Sequence, residues 1–99
     1  MREIDLAFIK LHILYHASKD EVYGVGLAKE LSRHGYKVSF GTLYPTLAKM
    51  VRMGFLSFEA RTVKHKQRKY YRITAKGHRE FNNVKEKIRE LYEEVIEDK

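Results

Sequence analysis

Cysteine and tryptophan are absent from this chain of 99 residues, and proline occurs once. Without cysteine there is no disulfide and no thiolate-ligated zinc, which fits a reducing compartment. Without tryptophan there is no indole to stack on a flat ligand. Long apolar runs are missing as well. The longest candidate, Leu6-Ala-Phe-Ile-Lys-Leu-His-Ile-Leu-Tyr15, is broken by Lys10 and His12 and has no small-residue cleavage site close behind it. It reads neither as a leader nor as a membrane span, which needs roughly 20 apolar residues. Catalytic signatures are also lacking: there is no Gly-x-Ser-x-Gly, no His-Glu-x-x-His and no phosphate-binding glycine loop. These absences point to a soluble, cytoplasmic non-enzyme without a cofactor. A chain of this length forms one domain and buries about 60–65% of its unfolded surface, so large apolar faces left over imply an oligomer.

Acidic residues are scarce in one place. Residues 57–79 hold eight Lys or Arg against Glu59 alone, whereas residues 80–99 carry a net −3 and the whole chain +7. The positive excess is therefore local, and an anionic partner is expected to meet residues 57–79.

The stretch Ser39 to Gly54 is the best-marked element. Ser39 is a good N-cap, Leu43, Leu47 and Met50 with Val51 recur at helical spacing, and Gly54 suits the left-handed residue that closes a helix. This gives a helix over residues 40–53. Its other face carries Thr42, Tyr44, Pro45, Thr46, Lys49 and Arg52, with no acid among them. Ahead of it, residues 3–17 read as a helix apolar on two sides, with Ile4, Phe8, Leu11 and Tyr15 on one stripe and Leu6, Ile9 and Ile13 on another. Residues 24–34 give a second helix closed by Gly35, and the short link to Ser39 makes a helix–turn–helix.

Beyond Gly54, period-two alternation over residues 55–60 and 69–74 predicts a β-hairpin. Its tip, Thr62 to Gln67, lacks the Asn-Gly or Asp-Gly of a tight turn and is expected to be a long, mobile projection. Thr74 then caps a helix over residues 75–97, in which Phe81, Val84, Ile88, Leu91 and Val95 are spaced 3-4-3-4 like a coiled-coil seam. The fold expected is mainly α with a two-stranded β-wing (α+β). A winged helix-turn-helix over residues 1–74, with its wing at 55–74, is followed by a C-terminal dimerisation helix packed with the N-terminal helix. In such a plan the third helix enters the DNA major groove and the wing flanks it. The dimer interface expected is Ile4, Phe8, Leu11 and Tyr15 against Phe81, Val84, Ile88, Leu91 and Val95.

Tyr23-Gly24, Leu27, Leu31, the block Ser39-x-Gly41-Thr42-Leu43-Tyr44-Pro45-x-Leu47, Gly54, and Arg68-Lys69-Tyr70-Tyr71-Arg72-Ile73-Thr74-x-x-Gly77 resemble the PadR family of transcriptional regulators, over roughly residues 8–80. The single C-terminal helix looks like the family's smaller subgroup. The resemblance implies a winged-helix homodimer binding a pseudo-palindromic operator in double-stranded DNA, usually as a repressor. Gly26 departs from the pattern, standing where a bulkier residue is common, and is expected to loosen the second helix.

At the DNA surface, Ser39 combines capping with a phosphate contact, while Thr42, Thr46 and Lys49 face outward to reach base edges or phosphates. Tyr44 either joins them or packs on the second helix. Pro45 removes the hydrogen bond to the Gly41 carbonyl, bends the helix and, with Gly41, brings backbone close to the groove. On the wing, Lys64, Lys66 and Arg68 neutralise phosphates and His65 enters a minor groove. Two further readings compete: a protein-interaction module with an acidic partner, and a metal-responsive regulator. His12 and His16, four apart, have metal-binding spacing but no evident third ligand, so no metal site is assigned. Phe8, Tyr15, Phe81 and Tyr92 form either plain core or a pocket for a small aromatic or apolar ligand between the dimer's helices.

Overall fold

The computed structural model describes residues 2–99; Met1, the first residue of the expected 1–74 domain, lies outside the described residues. The chain runs α1 (Glu3–Lys19), α2 (Gly24–Arg33), α3 (Phe40–Arg52), β1 (Leu56–Val63), β2 (Lys66–Ile73) and α4 (Ala75–Val95). The strands form one antiparallel pair, with Leu56 opposite Ile73 and Val63 opposite Lys66. This is the winged plan expected from the sequence, with element ends shifted by one or two residues and strands longer than the alternation indicated.

The core is built from one stripe of each of the first three helices and the hairpin: Ile9, Ile13, Leu14 and Ala17 of α1, Leu27 and Leu31 of α2, Leu43, Leu47 and Met50 of α3, then Leu56 and Tyr71 of the hairpin. Each large aliphatic side chain so buried stabilises by roughly 1.5–3 kcal/mol, and α1, with Ala17 beside its three large ones, supplies more core residues than any other element. It is the helix on which the rest is assembled. Both α2 and α3 end in the same device. Gly35 and Gly54 take positive φ, 87° and 83°, and the amides of Tyr36 and Phe55 turn back to the carbonyls of Leu31 and Met50. These two glycines set the angles at which α3 enters and the wing leaves.

The wing tip is tighter than expected. Only Lys64 and His65 separate the strands, both at positive φ (50° and 66°), the pattern of a type I′ turn without its usual Asn-Gly. The left-handed backbone costs on the order of 1 kcal/mol per residue. Eight paired residues on each side impose it, so pairing overrides turn propensity.

Gly26 does not loosen α2. A side chain there would meet the Tyr23 ring at 3.1 Å, so the missing Cβ makes room for that ring, and the helix runs intact. Likewise α3 continues unbroken through Pro45. Beyond Phe81, which packs against the core, α4 leaves the domain: Ile88, Leu91, Tyr92, Val95 and Ile96 are all exposed. Among the described residues, no helix is long and apolar enough to cross a membrane.

Candidate nucleic-acid interface

Helix α3 is positioned by its cap and its core stripe. Ser39 Oγ accepts from the Thr42 amide at 3.2 Å, which orients the first turn. With Leu43, Leu47 and Met50 turned inward, Gly41, Tyr44, Pro45, Ala48, Lys49 and Arg52 form the exposed face. Ala48 and Arg52 belong to this face although the sequence reading did not select them as site residues. Thr46 does not belong to it. It is buried, because it lies three residues after Leu43 and four before Met50, and its hydroxyl donates to the Thr42 carbonyl at 2.7 Å. Threonine there satisfies its own polar group within the helix instead of offering it outward.

Tyr44 takes both of the positions considered for it. Its ring lies over Gly24, where an added Cβ would stand 2.5 Å from the hydroxyl, yet the side chain remains exposed and stacks on Phe40 with ring centres 5.6 Å apart. Phe40, also exposed, extends the same aromatic surface. An open groove of about 890 Å³ runs from Tyr44 and Gly24 to the wing, where Lys64, Lys66 and Arg68 line its other wall. Of the residues selected from sequence, Tyr44 on the helix and Lys64, Lys66 and Arg68 on the wing share this groove. At the N-terminus of α3, Ser39 and Thr42 border a second hollow with Lys37, Arg2 and Asp5.

The basic wing is less free than its residue count suggests. Val22, in the link between α1 and α2, pairs with Tyr71 through two backbone hydrogen bonds (2.9 and 2.7 Å), as a one-residue third strand beside β2. That contact sets Glu21 against the wing. Arg61 grips both of its carboxylate oxygens at 2.7 and 2.8 Å, and Arg72 reaches one at 2.9 Å. Arg61 also lies over Tyr70, and Arg68 over Tyr23, each 4.4 Å from the ring centre, while Tyr23 and Tyr70 pack together. Arg68 is therefore half-committed to a packed layer. Lys64 and Lys66 at the tip are exposed and make no ion pair among the described residues.

This network has a pH signature. Hydrogen bonds from Arg61, then from Arg72, hold the Glu21 carboxyl down at about 2. A carboxyl depressed in the fold contributes stability above its ordinary value of 4.5, and that contribution is lost as pH falls from there towards about 2. Thermal melts of Glu21→Gln should therefore lie below wild type at neutral pH and converge on it across that acid window. A constant gap down to pH 2 would show that the ion pairs are not responsible.

The histidine pair acquires a neighbour. His34, the C-cap of α2, stacks on His12 with ring centres 4.6 Å apart, and the donor atoms of His12, His16 and His34 all lie within 4.8 Å of one another. No sequence spacing reveals this, because α1 and α2 must pack before His34 arrives.

Three helices, with the capped third one exposed beside a two-stranded basic wing, define a winged helix-turn-helix protein. Residues 13–83 match the model of the Transcriptional regulator PadR-like family, and the chain belongs to that family. It is 46% identical over 96 residues to the Transcriptional regulator Rv3488 of Mycobacterium tuberculosis (strain ATCC 25618 / H37Rv), covering 97% of this chain and 90% of that protein. Among solved structures, a PadR family transcriptional regulator from Eggerthella lenta superposes with a TM-score of 0.84 at 29% identity, covering 96% of this chain and 84% of the other. The fold is also that of Bacillus subtilis PadR, solved in complex with operator DNA (TM-score 0.70, 22% identity, 78% of this chain and 47% of that one).

Proposed function

We propose that this PadR-family transcriptional regulator binds a pseudo-palindromic operator as a homodimer and represses by occupying it. The observation that carries the reading is the groove across which Tyr44, on the exposed side of α3, faces the free lysines of the wing tip. Lys49, Thr42 and Tyr44 are assigned to base edges or nearby phosphates, with Arg52 beside them, and Ser39 to a phosphate at the helix N-terminus. Gly41 and Pro45 let α3 approach closely: a Cβ at Gly41 would meet nothing nearer than Ser39 Oγ at 3.7 Å. Lys64 and Lys66 are assigned to backbone phosphates, with Arg68 and His65 beside them. That a protein of the same fold was solved on operator DNA supports DNA binding.

The dimer is supported by what one chain leaves uncovered. Ile4, Phe8, Tyr15, Ile88, Leu91 and Val95 are exposed, and Leu11, Phe81 and Val84 are half-buried. An apolar surface of that extent is unusual on a monomer. We read it as the seam between two copies, with Tyr92 and Ile96 extending it. The hollow of about 360 Å³ beside Phe8, Leu11, Tyr15, Phe81 and Ile88 is where a small aromatic or apolar ligand would sit under the partner's helices.

A mobility-shift titration on the protein's own promoter region, with competitor DNA, tests the reading. Thr42→Ala with Lys49→Ala should weaken specific binding by about 10-fold or more, each lost base contact being worth roughly 1–3 kcal/mol, and leave non-specific binding less affected. Equal losses on both DNAs would remove the base-reading role. A monomeric mass at micromolar concentration would remove the dimer.

A further inference from the structure

We propose that His12, His16 and His34 form a three-imidazole site for a divalent transition-metal ion of the zinc, cobalt and nickel kind. His12 and His16 stand one turn apart on α1, and His34 is brought to them by the C-cap of α2. Their donor atoms lie within 4.8 Å of one another. Around a tetrahedral ion with bonds of about 2.0–2.1 Å, imidazole nitrogens stand about 3.4 Å apart, so side-chain rotation suffices to close the set. His34 is exposed, so its ring can turn off the stack with His12 to make that adjustment.

Plain packing explains the arrangement poorly. Three imidazoles converge, and none of their ring nitrogens makes a hydrogen bond among the described residues; the nearest acid, Glu30, has Oε2 3.9 Å from His16 Nε2. The other Glu30 oxygen is held by Arg33 at 2.9 Å, which fixes the carboxylate beside the cluster. Glu30 is thus placed to orient His16 or to take the fourth position, which is otherwise water. Three nitrogen donors without a thiolate suit zinc, cobalt, nickel or copper, and not calcium or magnesium. The site bridges α1 to the turn that leads into α3.

Cobalt(II) titration of the chelator-treated protein, followed by visible absorption and calorimetry, tests this without DNA. Failure here and failure of operator binding are therefore separate results. One cobalt per chain is expected, with the d–d bands of a tetrahedral nitrogen site. His34→Gln and His16→Gln should each weaken binding at least about 10-fold, whereas His65→Gln and His78→Gln, away from the cluster, should bind as wild type. Zinc at 100 times its Kd should raise the wild-type Tm by roughly 10 °C or more, and should not do so in His34→Gln. Absence of binding in the micromolar range, or binding unchanged in His34→Gln, overturns the proposal. If His34→Gln fails to give a wild-type circular dichroism spectrum, His16→Gln decides by the same criterion.

Discussion

Replacing Gly77 with alanine is expected to lower the Tm by more than about 10 °C, the largest stability loss from adding one methyl group to this chain. Gly77 is buried in the first turn of α4, where Thr74 caps the helix by accepting from the Gly77 amide at 3.0 Å. The Thr74 hydroxyl donates to the Gly54 carbonyl, and the Thr74 amide donates to that of Phe55 at 3.1 Å. The end of α3, the start of the wing and the start of α4 are thus tied at one point. A Cβ on Gly77 would press on the Phe55 carbonyl oxygen and stand 2.7 Å from Ile73 Cγ1. Backbone cannot rotate away as a side chain can, so the junction must open. Overpacking of this kind costs about 3 kcal/mol, and at this chain length each kcal/mol moves the Tm by about 4–8 °C. Gly41→Ala is the matching control: it meets open space near a helix start and should stabilise by up to about 1 kcal/mol. A Gly77→Ala protein melting with wild type would mean that α4 does not seat on the Phe55 carbonyl.

The contrast between these two glycines illustrates what the sequence makes legible. Caps, stops and periodic stripes are local, so Ser39, Thr74, Gly35 and Gly54 could be assigned from neighbouring residues alone, and with them the order of helices and wing. Features that depend on two elements meeting were not legible. Thr46 shares an outward arc with polar residues on paper, but it falls between Leu43 and Met50 once the core closes. The tight turn at Lys64-His65 is imposed by pairing along the whole hairpin, against the preference of its own residues. His34 joins His12 and His16 only through the packing of α2 on α1.

Charge shows the same limit most sharply, because a count over residues 57–79 cannot include Glu21. That residue arrives from the α1–α2 link through the pairing of Val22 with Tyr71, and it occupies Arg61 and Arg72. Lys76, though exposed, is likewise engaged, donating to the Met53 carbonyl at 2.8 Å. The count located the basic region correctly but overstated how many of its charges are free to meet an anion.

Sorting those charges leads to the second large effect, on operator affinity. A dimer contacting 6–10 phosphates should lose roughly 10³–10⁵-fold in affinity between 50 and 200 mM salt, as condensed counterions are released. Lys64 and Lys66 at the exposed tip are the strongest wing candidates for such contacts. Lys64→Gln with Lys66→Gln removes four charges per dimer, so the slope of log affinity against log salt should become shallower by about 3.6, at roughly 0.9 per phosphate contact. Arg61→Gln removes a charge as well, but one that already belongs to Glu21, and its effect on the slope should be much smaller while its melt suffers. The two variants therefore separate free charge from paired charge on the same hairpin. Equal flattening by both would show that the ion-pair network opens on DNA. A slope unchanged by the tip variant would place the wing away from the phosphate backbone and leave α3 as the main contact.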